Sequence, residues 1–174
     1  VLPRSDTVMF ADASAEFWAC VAITPSGQHL FGAQGCFIDK SQKIFEKEAL
    51  AFFAAAKLLC FEQPHHHHEI MTDNAAWTFA KNKQYAKNEV GCDVIASIAR
   101  LPGKETARWV GTADNAADKF TRGTYLTINT KHRHHLGTDR LLASFAAVGI
   151  PRNDRLFAEK RRVFERAARA GKVK

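Results

Sequence analysis

The fold class predicted for this 174-residue chain is a mixed α/β sheet flanked by helices, and three observations predict it. Three short apolar runs open the chain, the second and third separated by the Pro/Gly turn "TPSGQH", as in an antiparallel meander. Single apolar runs then alternate with helical stretches, the pattern of strands added to a sheet through crossovers. A hydrophobic content of 46% in a chain of this length supports a sizeable core and excludes general disorder.

In chain order, residues 8–13, 16–24 and 29–38 read as the three opening strands. Ser41 is placed to cap a helix through about residue 60, "SQKIFEKEALAFFAAAKLLC", rich in Ala, Leu and Lys, and Pro64 stops it. "EIMTD" is a fourth strand ending on Asp73. Helices over 75–83 and 89–100 follow, then a fifth strand over 106–110. Asp114 is placed to cap a last short helix ending near Gly123. The strands are thus three antiparallel and two further parallel additions. Beyond Tyr125 the character changes. A short amphipathic helix over 138–148 closes on Gly149 and Pro151, and a second follows Asn153 or Asp154, with Leu156, Phe157, Val163 and Phe164 among its apolar members. The division is therefore residues 1–125 as the main domain and 126–174 as a basic helical extension.

Charge separates the same two parts. Residues 1–129 hold 13 Lys/Arg against 14 Asp/Glu, whereas residues 130–174 hold 12 against 4. The whole formal excess of +7 sits in the last quarter, which suggests a polyanionic partner, with a solvated helix face as the alternative. No apolar run approaches about 18 residues, so no membrane-spanning segment is expected. The start from Val1, polar and Pro-containing, reads as neither a signal peptide nor an initiator, and suggests a piece of a longer protein. Cys20, Cys36, Cys60 and Cys92 form no CxxC pair and read as buried thiols of a reducing compartment, cytoplasmic or nuclear rather than secreted.

The candidate site is made of carboxylates. Asp12, in "TVMFADAS", and Asp73 both stand where a strand ends. Measured from Lys43 at about 100° per residue, Glu46, Lys47 and Lys57 share one solvent face, while Glu48 lies at about 140°, among Ile44, Ala51, Phe52 and Ala55. That stripe should face the sheet, and an inward carboxylate costs several kcal/mol unless it is paired or binds a cation. In "WVGTADNAADKFTRG", Asp114 and Asp118 are four apart on one helix face; Asp114 is the natural cap and Asp118 is free for another role. Converging carboxylates without a His/Cys set suit Mg²⁺ or Mn²⁺ rather than zinc. A pair of such ions suits in-line attack of water on a phosphodiester.

These residues and their order resemble ribonuclease H, and especially the RNase H domains of retroelement reverse transcriptases. The resemblance spans Val8 to Gly123 and rests on "ADAS", "FEKEAL", "MTDN" and "NAADKFTRG" in the right order and spacing. It implies an RNase H-like fold with the first strand in the middle of five. It implies a catalytic, metal-holding set of Asp12, Glu48, Asp73 and Asp118, with two Mg²⁺ ions that Mn²⁺ can replace. It further implies cleavage of the RNA strand of an RNA–DNA hybrid, with a reverse transcriptase domain as a partner in the same polyprotein. The alternative is a non-catalytic RNase H-like module of a larger polymerase or ribonucleoprotein. Two departures set the chain apart from cellular enzymes: the loop "VGTADN" has no histidine, and the glycine-rich first turn is missing. The wording matches gypsy-like and tyrosine-recombinase retrotransposons best.

Substrate contacts are expected from Ser14, Asn74, Arg122, Arg161 and Arg162, although Asn74 is equally well placed to cap the next helix. The run His65–His68 lacks the spacing of a closed zinc site and reads as a polar loop. The histidines of "HRHH" near residue 132 read as a solvated linker, and Trp77 and Trp109 as core residues.

Overall fold

The computed structural model describes residues 1–37, 41–122, 124, 126, 159, 162, 163, 165–167 and 169–171. Five strands, β1 (Val8–Ala13), β2 (Phe17–Ile23), β3 (His29–Cys36), β4 (His67–Thr72) and β5 (Lys104–Trp109), form one sheet in the order β3-β2-β1-β4-β5. The β1–β2 and β2–β3 pairs are antiparallel, and β4 joins β1 and then β5 in parallel. Helix α1 (Ile44–Glu62) crosses from β3 to β4, and α2 (Ala75–Lys83) and α3 (Glu89–Ala99) cross from β4 to β5. β1 is central, as expected. No helix among the described residues is long and apolar enough to cross a membrane.

Helix α1 is the middle of the core. It packs on β1 and β2 and against α3, and Ala49, Ala51, Ala54, Ala55 and Ala56 are all fully buried. Small residues on so many sides let sheet and helix approach closely, while Leu50, Phe52, Leu58 and Leu59 fill the space between. Trp77 is fully buried, edge-on to Phe45 and Phe52, as expected for a core residue.

Several sequence expectations need correction. Helix α1 is not capped by Ser41: Lys43 precedes its first turn, and the Lys43 N–H donates to Glu46 Oε1 at 3.2 Å, so the acid three residues on does the capping. Lys47 is not on a solvent face but 5% exposed, its Nζ donating to the Ala15 carbonyl at 2.8 Å beside the Phe37 ring. The β1–β2 turn reaches over α1 there and covers its stem. The histidine run is only partly a loop. Pairing of residues 67–72 with 104–109 draws His67 and His68 into β4, and His68 is 1% exposed with Nε2 2.9 Å from the Gln63 carbonyl oxygen. Burial lowers the His68 pKa below its ordinary value.

The last helix is instead two separate 3-10 turns, Thr112–Asp114 and Asp118–Thr121. Asp114 ends the first of them rather than capping anything with its side chain, and it shares no helix face with Asp118. The Asn115 side chain interrupts a continuous helix, accepting the Ala117 N–H at 3.1 Å and donating to the Ala11 carbonyl at 3.0 Å. Trp109 is 56% exposed; it ends the edge strand, and its indole N–H donates to the Asp73 carbonyl at 3.2 Å. All four cysteines are free thiols, Cys20 and Cys36 buried, Cys60 and Cys92 half-buried. The division at residue 125, the helix expected over 138–148 and "HRHH" lie outside the described residues. Of the second expected helix, residues 159, 162, 163, 165–167 and 169 are helical.

Candidate metal centre

β1 and β4 are adjacent and parallel, so their carboxyl ends open on the same side. Asp12 is the next-to-last residue of β1, held across from Ala19 by the β2 ladder. Asp73 directly follows β4, where Asn74 turns the chain into α2 by accepting the Trp77 N–H at 2.8 Å. Glu48 comes from the first turns of α1, which begins above these strand ends. One oxygen from each of Asp12, Glu48 and Asp73 lies within 4.8 Å of the others. They line an open cleft of about 380 Å³ together with Thr112, Asp118, Thr121 and Arg122.

Asp12 is 3% and Glu48 4% exposed. Burial, then the charges of Asp12 and Asp73, push the Glu48 carboxyl up to about 9. Burial, then Asp73, push Asp12 up to about 7, against the Thr121 hydroxyl that lies 3.0 Å from Asp12 Oδ2. Glu48 Oε2 is buried and has no hydrogen-bond partner. An acid so placed is costly in the bare protein and favourable beside a cation. The donors are all oxygens, which fits Mg²⁺ or Mn²⁺.

The remaining expected residues divide. Asp118 lines the cleft but stands outside the three-carboxylate group, its Oδ2 3.0 Å from Arg122 Nε and its Oδ1 3.3 Å from Arg122 Nη2. Ser14 is a brace: its hydroxyl oxygen accepts the Phe17 N–H at 3.1 Å and the hydroxyl donates to the Thr121 carbonyl at 2.9 Å. Asn74 caps α2, as its structural reading had it. Arg162 is exposed on a helical residue, and Arg161 lies outside the described residues. Thr121 and Asn115 were not singled out from sequence. Both lie inside "NAADKFTRG", but a polar residue that reaches β1, Thr121 at the Asp12 carboxylate and Asn115 at the Ala11 carbonyl, has no signature in periodicity.

No family model matches the chain, and no curated protein matches it either. Solved structures do. LC11-RNase H1 in complex with an RNA/DNA hybrid superposes with a TM-score of 0.56 at 15% identity, over 66% of this chain and 92% of that one. This is an RNase H-like fold. LC11-RNase H1 isolated from compost by a metagenomic approach gives 0.53 at 14% identity, over 67% of this chain and 91% of that one. The N-terminal RNase H domain from Mycobacterium tuberculosis, as a fusion with maltose binding protein, gives 0.52 at 12%, over 63% and 84%. Identities this low establish the shared RNase H-like architecture, and the chemistry has to be argued from the carboxylates themselves.

Proposed function

We propose that the chain is a Mg²⁺-dependent endoribonuclease that cuts the RNA strand of RNA–DNA hybrids, from a retroelement polyprotein that also carries a reverse transcriptase domain. The observation that carries the reading is the buried, unpartnered Glu48 Oε2 within a group of three carboxylates at the ends of two parallel strands. The RNase H-like fold supports it, and one structure of that fold is a complex with an RNA/DNA hybrid.

Asp12, Glu48 and Asp73 would hold the ions, with Asp118 at the edge of the cleft completing the set. Bound ions would activate a water and stabilise the leaving oxygen. The chain's own part is to present charge in a fixed place. Thr121 orients Asp12, the α1 backbone fixes Glu48, and the Asn74 cap sets the turn from which Asp73 projects. Glu48 and Asp12 must give up protons as cations enter, so ion binding strengthens as pH rises towards their raised values. Arg122, the one cation among the described residues lining the cleft, can receive a phosphate of the RNA strand.

One observation favours a second reading, a non-catalytic RNase H-like binding module: Asp118 is engaged by Arg122 rather than by the other acids. A cleavage assay separates the two. A hybrid labelled on its RNA strand should be cut with Mg²⁺, while single-stranded RNA, duplex RNA and duplex DNA stay intact. Binding of the hybrid without any cleavage would establish the module instead.

A further inference from the structure

Arg122 grips Asp118 with two prongs, Nε on Oδ2 at 3.0 Å and Nη2 on Oδ1 at 3.3 Å. The pair closes the single turn Asp118–Thr121, and the Arg122 side chain is 52% exposed, open to an anion from solvent. A guanidinium fork fits a carboxylate and a phosphate equally well, and the same two N–H groups serve only one at a time. The Thr121 hydroxyl meanwhile sits 2.7 Å from the Asp118 carbonyl and 3.0 Å from Asp12 Oδ2, so the turn's backbone stays anchored to β1 whichever way the Asp118 side chain faces.

We infer that Arg122 is a latch on Asp118: it withholds that carboxylate from the other three until a backbone phosphate of the nucleic acid takes the guanidinium. The inference rests on the metal-centre reading above and deepens it. Ion loading would then proceed in order. Asp12, Glu48 and Asp73, whose oxygens already lie together without Asp118, would hold the first ion. Asp118 is released for a second ion only when phosphate competes for Arg122. Because coupling between two ligands is reciprocal, phosphate at Arg122 tightens the second ion and the second ion tightens phosphate. A fully loaded centre is thereby tied to the presence of substrate. The clamp makes Arg122 a positioning residue for the metal site as well as a phosphate contact.

The test is calorimetric titration of the full chain with Mn²⁺ in the absence of nucleic acid, for wild type, Arg122→Gln, Asp118→Asn and the double variant, each first shown by its melting curve to be folded. The first ion should bind wild type and Asp118→Asn with affinities within about twofold of each other. Arg122→Gln should tighten a second ion by about fivefold or more, within the usual range of coupling between sites. The double variant should lose that gain. Arg122→Lys, which keeps the charge and loses the fork, should give part of it. Three results would overturn the latch: no gain in Arg122→Gln, a gain that survives Asp118→Asn and so reflects charge alone, or a first ion weakened by Asp118→Asn in an otherwise wild-type chain. If Mn²⁺ binds none of the four proteins, the metal-centre reading falls and takes the latch with it.

Discussion

Glu48→Gln should make the ion-free protein more stable, an unusual outcome for a polar change at a site 4% exposed. Below pH 4.5 the glutamate is protonated whether the chain is folded or not, and nothing is lost. Above that the unfolded chain releases the proton freely, while the folded one holds it until about pH 9, so stability falls across the window between. Each pH unit costs about 1.4 kcal/mol, which comes to about 3 kcal/mol near pH 7. Asp12 adds a loss of the same sign between pH 3.8 and about 7. Glutamine keeps the volume and never ionises. For a chain of this size, about 3 kcal/mol is a rise of about 6–12 °C in melting temperature. Thermal melts followed by circular dichroism in chelator, near pH 5, 7 and 9, should show wild type falling with pH and the variant falling less. Adding Mg²⁺ to about a hundredfold above its Kd should stabilise wild type by about 2.7 kcal/mol and the variant by far less, closing the gap. A Glu48→Gln protein that melts at or below wild type in chelator near pH 7 would refute the account of this carboxylate.

Asp73→Asn should abolish hybrid cleavage with little change in melting temperature, since it removes a charge from the group at constant volume, whereas Asp114→Asn should leave the rate within about twofold, Asp114 being exposed and outside the group. Mg²⁺ and Mn²⁺ should support cleavage and Ca²⁺, larger and looser in geometry, should bind without activating; cutting in excess chelator would remove the metal from the mechanism. Asn82→Ala should cost about 1–2 kcal/mol in a denaturant melt, because the Asn82 amide both donates to the Ala107 carbonyl and accepts its N–H, sealing the free edge of β5. Deleting residues 130–174, where all the positive excess lies, should flatten the plot of log affinity against log salt by about 3–4 if about four of those cations reach phosphates; an unchanged slope would remove the extension from the binding surface.

Much of the sheet was legible because strand signals are local. The apolar run from Val8 with Asp12 near its end, the turn "TPSGQH" and the second strand-end aspartate, Asp73, each follow from a few neighbouring residues. Glu48 was legible for a different reason. A helical wheel places it among residues expected to face the sheet, and the structure finds it buried beside Ala51, Phe52 and Ala55 with an unpartnered oxygen, although Ile44 of the same stripe, the first residue of the helix, is 52% exposed. The same wheel put Lys47 in solvent, and it failed because burial of Lys47 depends on a turn 32 residues earlier in the chain. Trp109 failed for a related reason: an aromatic in a strand reads as core, and only the sheet order reveals that β5 is an edge. The histidine run was misplaced because β4 is lengthened by its partner, a gain that neither segment announces alone.

The largest miss, one helix expected and two short turns found, shows how the cleft is closed. The described residues among 112–126 add no strand to the sheet, yet they are held to it by bonds between side chains and backbone. Asn115 donates to the Ala11 carbonyl of β1, Ser14 donates to the Thr121 carbonyl, and Gln34 on β3 donates to the Phe120 and Thr124 carbonyls while accepting the Leu126 N–H at 2.7 Å. The carbonyls of Phe120 and Thr121 would lie in the last turn of a helix ending near Gly123, where no helical N–H could reach them, so they need partners from elsewhere. Ser14 and Gln34 supply those partners, and Phe120 and Ala117 add a small apolar cluster with Ala19 and Val21 of β2. The result is a segment whose backbone is pinned at several points while Asp118 and Arg122 stay at its cleft-facing surface. The proposed reception of ions and a phosphate would need that combination: Asp12 and Glu48 fixed by the core, and a closing turn anchored firmly enough that only side chains have to move.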